Sequence, residues 1–113
     1  LSFIDLLIGN AQNREKFLRN IDFYLSKIKE VVRKEDPNGR VILFGSYVRG
    51  NFRPDSDIDI LVIVNVKGEE DRLRIYHEIN EVVGRPNPFE IHVINDEEYR
   101  DWYSHFIDVY KEV

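Results

Sequence analysis

The chain contains no cysteine and no methionine, and only one tryptophan and four prolines among its 113 residues. Without cysteine it can form neither disulfides nor thiolate metal sites, so a metal would have to be held by oxygen or imidazole. The same absence fits a reducing compartment, and the expected location is cytoplasmic. No apolar run approaches the ~18 residues that a membrane span needs, and no signal-peptide pattern is visible, so no membrane association is expected. Positive charge is also short: 16 Lys and Arg stand against 21 Asp and Glu, a net charge of −5. That balance argues against a protein that holds nucleic acid by neutralising phosphates. The lack of methionine, position 1 included, leads us to expect that the natural start lies outside this sequence.

What is present is the composition of an ordered globular domain: 42% hydrophobic, 33% charged and 12% aromatic residues. The length suits one domain over residues 1–113 with a modest core. Residues 1–8 (LSFIDLLI) are apolar, and two readings stay open: a short helix packed back on the domain, or an exposed patch that meets a partner. Residues 12–34 read as one long helix, because Leu18, Ile21, Leu25, Ile28 and Val32 form a continuous apolar stripe. Asp36, Pro37, Asn38 and Gly39 end it with turn chemistry. Residues 41–44 are wholly apolar and read as a central strand, followed by Gly45-Ser46 and a helical turn near 47–50. Residues 58–64 read as a second buried strand. Residues 69–83 form a helix with Leu73, Tyr76, Ile79, Val82 and Val83 marking its inner face. Residues 89–94 alternate as a third strand, and Asn95 or Asp96 caps a final helix over 97–111, with Trp102, Phe106 and Val109 on one side. This alternation predicts an α/β (α+β) domain whose central mixed sheet has at least three strands flanked by helices.

The anomaly lies in VILFGSYVRGNFRPDSDIDILVIV, residues 41–64. Aspartate is depleted in strands, and a buried carboxylate is costly unless paired or bound to metal. Asp57 and Asp59 lie two apart and so project to one face of a strand. Two neighbouring carboxylates repel each other unless a cation sits with them. Gly45 lets the backbone turn tightly and approach a ligand closely. Ser46 is a good helix N-cap, and a helix start offers N–H groups to phosphate. Arg40, Arg49 and Arg53 cluster around this stretch in sequence. Gly-Ser, ten residues, then Asp-x-Asp would recur by chance ~10⁻³ times in a chain this long at average residue frequencies.

With its Arg49-Gly50 pair, GSYVRGNFRPDSDID resembles the signature of the DNA polymerase β nucleotidyltransferase superfamily, and within it the small stand-alone minimal nucleotidyltransferases. The family carries a third acid on a later strand, and Glu90 in PFEIHVI takes that place, although Asp is the more usual residue there. The resemblance implies a palm-like nucleotidyltransferase fold and two Mg²⁺ ions, bridged by Asp57 and Asp59, with Glu90 on the side of the nucleophile. It also implies that Gly45, Ser46 and nearby N–H groups hold the outer phosphates of a nucleoside triphosphate, with Arg49 as a phosphate clamp and Arg53 as a weaker one. For each residue a simpler role competes: a turn cap for Asp57, a salt-bridged strand position for Glu90, a surface arginine for Arg49. His92 shares a face with Glu90 and is read as a satisfied sheet residue rather than a site residue, and His77 and His105 have no metal spacing.

Relatives of this kind pair with an all-helical HEPN protein as antitoxin and toxin. The implied activity is transfer of AMP from ATP to a tyrosine of that partner. A nucleotide-binding module that blocks a partner without turnover, and a transferase acting on a small molecule, are the competing readings. Self-association stays open.

Overall fold

Strand Ile58–Ile63 has five of its six residues buried, which only a central strand covered on both faces can achieve. In the computed structural model, which describes residues 2–105 and 107–113, this is the second strand, β2. The chain runs α1 (Phe3–Arg19), α2 (Ile21–Glu35), β1 (Arg40–Phe44), α3 (Ser46–Arg49), β2, α4 (Glu69–Val83), β3 (Phe89–Ile94), α5 (Asp96–Asp101), a 3-10 turn (Tyr103–His105) and β4 (Tyr110–Glu112). The sheet order is β3-β2-β1-β4. β2 is parallel to β3 and antiparallel to β1, and β4 is antiparallel to β1, so the sheet is mixed, as the sequence predicts. Among the described residues no helix is long and apolar enough to cross a membrane.

The two faces of the sheet are covered unequally. On one, Ile58, Ile60, Val62, Val41 and Leu43 pack under α2 and α4 against Leu25, Ile28, Val32, Ile75 and Ile79. Each such side chain contributes about 1.5–3 kcal/mol by leaving water. On the other, Ile42, Leu61, Ile63 and Ile94 form a smaller cluster under Phe44, Tyr99, Tyr103 and Ile107. That second cover reaches only part of the face. The end carrying Asp59 and Glu90, paired across β2 and β3, is left open.

Several expectations change. The helix foreseen over 12–34 is two helices, meeting at Asn20, whose backbone (φ −114°, ψ 31°) leaves the helical region and whose side-chain N–H₂ donates to Lys16 O. Asparagine competes for backbone groups in this way, and the stripe from Leu18 to Val32 runs through the break unaltered. α1 begins at a Ser2–Asp5 capping box, and its outer turns leave Phe3, Ile4, Leu6, Leu7 and Ile8 exposed, so the apolar start does not fold back on the core; Leu1 lies outside the described residues. The inner face of α4 is Ile75, Ile79 and Val83 with Asn80, while Leu73 and Val82 are exposed.

A further change is at the end of the chain. The helix foreseen over 97–111 stops at Asp101. Asn95 caps α5 in a capping box with Glu98, as foreseen. Beyond it the chain turns and supplies β4, because the outer edge of β1 would otherwise stay unpaired. Trp102 and Val109, foreseen on one side of that helix, are exposed, and Phe106 lies outside the described residues. Arg40, near Arg49 and Arg53 in sequence, opens β1 at the end away from Gly45, where its guanidinium donates to Glu112 through two hydrogen bonds of 3.0 and 2.8 Å.

Candidate active site

β1 delivers Phe44 opposite Asp59 on β2, and β2 delivers Asp59 opposite Glu90 on β3. Three neighbouring strands therefore converge at the open end of the sheet. The turn after β1 completes the wall. Gly45 has φ +81°, and a Cβ placed there would overlap Asp59 Oδ2 and lie 3.1 Å from its Cγ. Glycine is required twice over, for its positive φ and for the close approach of backbone to carboxylate. Ser46 opens α3, but the N-cap position belongs to Gly45 and no side chain caps the helix, contrary to the role foreseen for the Ser46 hydroxyl. The half-buried hydroxyl is thus not committed to a cap.

Asp59, Glu90 and His92 each offer one ligand atom, all within 4.8 Å of one another. Burial first, and then the adjacent Glu90 carboxylate, push the Asp59 carboxyl above its ordinary range, while His92 acts in the opposite direction. His92 Nε2 lies 3.7 Å from Glu90 Oε1. Two carboxylates and an imidazole held together on a half-covered sheet face form a donor set that suits a divalent cation: hard oxygens for Mg²⁺, with the imidazole available as an added ligand or as a partner that orients Glu90. The donor set fits the metal that the sequence implies.

The remaining sequence-derived residues are not all gathered here. Asp57 lies just before β2, is exposed, and pairs with Arg14 of α1 at 3.6 Å, while its charge is still felt at Asp59, whose carboxyl it helps to raise. Arg14 also donates to Pro54 O at 3.0 Å and to Ser56 O, so it clasps the loop that leads into β2. Arg49 is exposed at the end of α3. Arg53 is exposed and pairs with Asp55 at 3.6 Å. Two residues stand beyond the sequence-derived set. His92 carried a signal, its strand spacing of two from Glu90. Arg14 carried none, since its contact with Asp57 spans a long stretch of chain.

Residues 25–111 match the family described as nucleotidyltransferase domain. A protein of Methanocaldococcus jannaschii provisionally named a protein adenylyltransferase is 53% identical over 30 residues, which are 26% of this chain and 30% of that protein. The chain thus spans less than a third of the curated relative that it matches. A crystal structure described provisionally as a nucleotidyltransferase superposes with a TM-score of 0.65 at 25% identity, covering 79% of this chain and 96% of its own. A second, from Sulfolobus solfataricus and described in the same way, superposes with a TM-score of 0.59 at 24% identity over 87% of this chain and 82% of its own, a likeness of fold.

Proposed function

The chain belongs to the nucleotidyltransferase domain family, and we propose that it moves a nucleoside monophosphate, AMP from ATP, onto an acceptor hydroxyl. One observation carries the reading: the Asp59 carboxylate packs against the backbone of Gly45 and beside Glu90, so a cation site and a phosphate-receiving turn share one wall. The N–H groups at the start of α3 have no partners inside so short a helix, and with the Ser46 hydroxyl they receive the outer phosphates. Arg49, exposed at the far end of that helix, closes on the same anion through its planar fork. Asp59 and Glu90 would hold Mg²⁺, and Asp57, once released from Arg14, would join them. When bound, two such ions supply neutralising charge to the triphosphate and the departing pyrophosphate and acidify the acceptor hydroxyl. The acceptor oxygen attacks the α-phosphorus, the bond from that phosphorus to the bridging oxygen breaks, pyrophosphate leaves, and Glu90 takes the proton.

The acceptor we assign is a tyrosine hydroxyl on an all-helical HEPN toxin, with this chain as its antitoxin. The resemblance of the Gly-Ser and Asp-x-Asp motif supports that assignment, as does the name of the M. jannaschii relative, which is that of a protein adenylyltransferase. A second reading, nucleotide binding without turnover, is favoured by the Arg14–Asp57 pair, which keeps one carboxylate out of the cluster. Incubating the protein with Mg²⁺, α-labelled ATP and the product of its neighbouring gene separates the two. Label transferred to the partner, and abolished by Asp57→Ala with Asp59→Ala, is the expected result. ATP bound with no label transferred supports the second reading, and label that survives the double substitution overturns the site.

A further inference from the structure

β3 is an edge strand, and half of its backbone polar groups face outward. Ile58 N–H donates to Pro88 O at 2.8 Å and Val64 N–H to Ile94 O at 2.9 Å. In a parallel ladder with that register, Glu90, His92 and Ile94 turn both backbone groups toward β2, and Phe89, Ile91 and Val93 turn theirs away. Two of the outward groups are occupied: Phe89 N–H donates to Asn87 Oδ1 at 3.0 Å, and Val93 O accepts from Arg72 Nη1. Among the described residues, Phe89 O, both groups of Ile91 and Val93 N–H have no hydrogen-bond partner along this edge. This edge is the floor of a groove of about 330 Å³, walled by Leu73 and Tyr76 of α4 and by Tyr103 of the 3-10 turn. His92 lines the same groove and belongs to the Asp59–Glu90–His92 cluster, so the groove runs into the candidate active site.

The rim has a definite charge. The first turn of α4 carries Glu69, Glu70 and Asp71, and that of α5 carries Asp96, Glu97 and Glu98. Arg72, between them, is engaged by Glu69 at 3.1 Å and Glu98 at 3.0 Å. Asp71 is engaged in turn by Arg74 at 2.7 Å, which leaves Glu70, Asp96 and Glu97 as the exposed acids of these two turns outside such pairs. Their charge opposes a second copy of this acidic chain and attracts a basic segment.

We infer that the open edge of β3 docks an extended, positively charged polypeptide segment as an added strand, and that this segment carries the acceptor hydroxyl. Main-chain pairing with Ile91 fixes its register, and alternate side chains enter the groove beside Tyr76 and His92. Because successive side chains of a strand alternate in direction, only hydroxyls on one of its two faces reach the cluster. The inference rests on the proposed nucleotidyl transfer for its acceptor role, and the experiment separates the two.

The probe is a short synthetic peptide alternating lysine and valine around a central tyrosine, with a second version N-methylated on the backbone at every other residue. Amide exchange and chemical shifts are followed in the full chain, with Mg-ATP added to a parallel sample. The unmodified peptide is expected to slow exchange of the Ile91 amide by about tenfold or more, and the methylated version to fail. Glu70→Lys with Glu97→Lys, both exposed and outside the cluster, is expected to weaken the peptide about tenfold while leaving Mg-ATP shifts at Gly45 and Ser46 unchanged. Mg-ATP shifts without protection of Ile91 overturn the docking inference alone. Protection of Ile91 without any Mg-ATP response supports docking and overturns the nucleotide site. Equal binding of both peptides overturns strand addition.

Discussion

At the scale of single residues, Asp59 works against the fold. Its carboxyl is held above the ordinary range by burial and by the charge of Glu90, so without a metal the ionised form is strained. Functional sites commonly cost stability in this way. Asp59→Asn keeps the shape against Gly45 and removes the charge. The metal-free variant is expected to melt above the wild type at neutral pH, by on the order of a few °C. Added Mg²⁺ should raise the melting temperature of the wild type and leave the variant unmoved. A variant less stable than wild type counts against the charge argument. This residue was legible in sequence because an acid in an apolar strand is improbable without a purpose. Its neighbour His92 was half legible: strand spacing put it on the face of Glu90, but nothing local said how near the two would come. Arg14 was not legible, since helix periodicity places it on a face without naming what that face meets.

At the scale of elements, what could be read depended on how local the cause was. β1, β2, β3 and α4 follow from apolar runs and turn residues within their own stretch, and the structure has α4 and β3 at the foreseen bounds. The last segment does not follow, because β4 exists only through pairing with β1. Local aromatic and apolar spacing suggested a helix there, and tertiary pairing overrode it. Val113 N–H donates to Val41 O at 2.9 Å, and the Arg40–Glu112 pair pins the same strand. Hydrogen bonding from Arg40 holds the Glu112 carboxyl below its ordinary range. A carboxyl depressed in the folded state adds stability above its unfolded pKa, and that stability disappears as pH falls through the folded value. Acidification from about pH 5 to pH 3 should therefore loosen β4 before the rest of the sheet. Relative to Ile60, the Val113 amide should exchange about threefold to fivefold faster, the scale of a partly exposed ion pair. Glu112→Gln should give the same loosening at neutral pH, and an unchanged Val113 amide in that variant would refute the assignment.

At the scale of the whole molecule, the chain spans 46 × 28 × 23 Å, and its outer apolar helix is joined to the candidate site. α1 touches the body through its inner turns: Phe17 is buried with its ring 4.4 Å from that of Tyr24, Asn13 donates to Pro86 O at 2.8 Å, and Arg14 clasps residues 54–57. Arg14 thus has two effects of opposite sign on the site. Its hydrogen bonds to Pro54 O and Ser56 O hold the loop in place, while its charge competes with a cation for Asp57. The pair is 3.6 Å long with Asp57 more than half exposed, so its contribution is at most about 1 kcal/mol. Asp57 can therefore be won over by a divalent cation. Arg14→Gln places an N–H₂ group about where Arg14 Nε stands, able to reach Pro54 O, and removes the competing charge. Mg²⁺ affinity, measured by calorimetry without nucleotide, is expected to rise about twofold to fivefold, the factor that up to 1 kcal/mol allows. Asp57→Asn added to Arg14→Gln should return the affinity to the wild-type value or below. If Arg14→Gln leaves Mg²⁺ affinity unchanged while its melting temperature shows the loop intact, Asp57 is no part of the metal site, and the donor set is Asp59, Glu90 and His92.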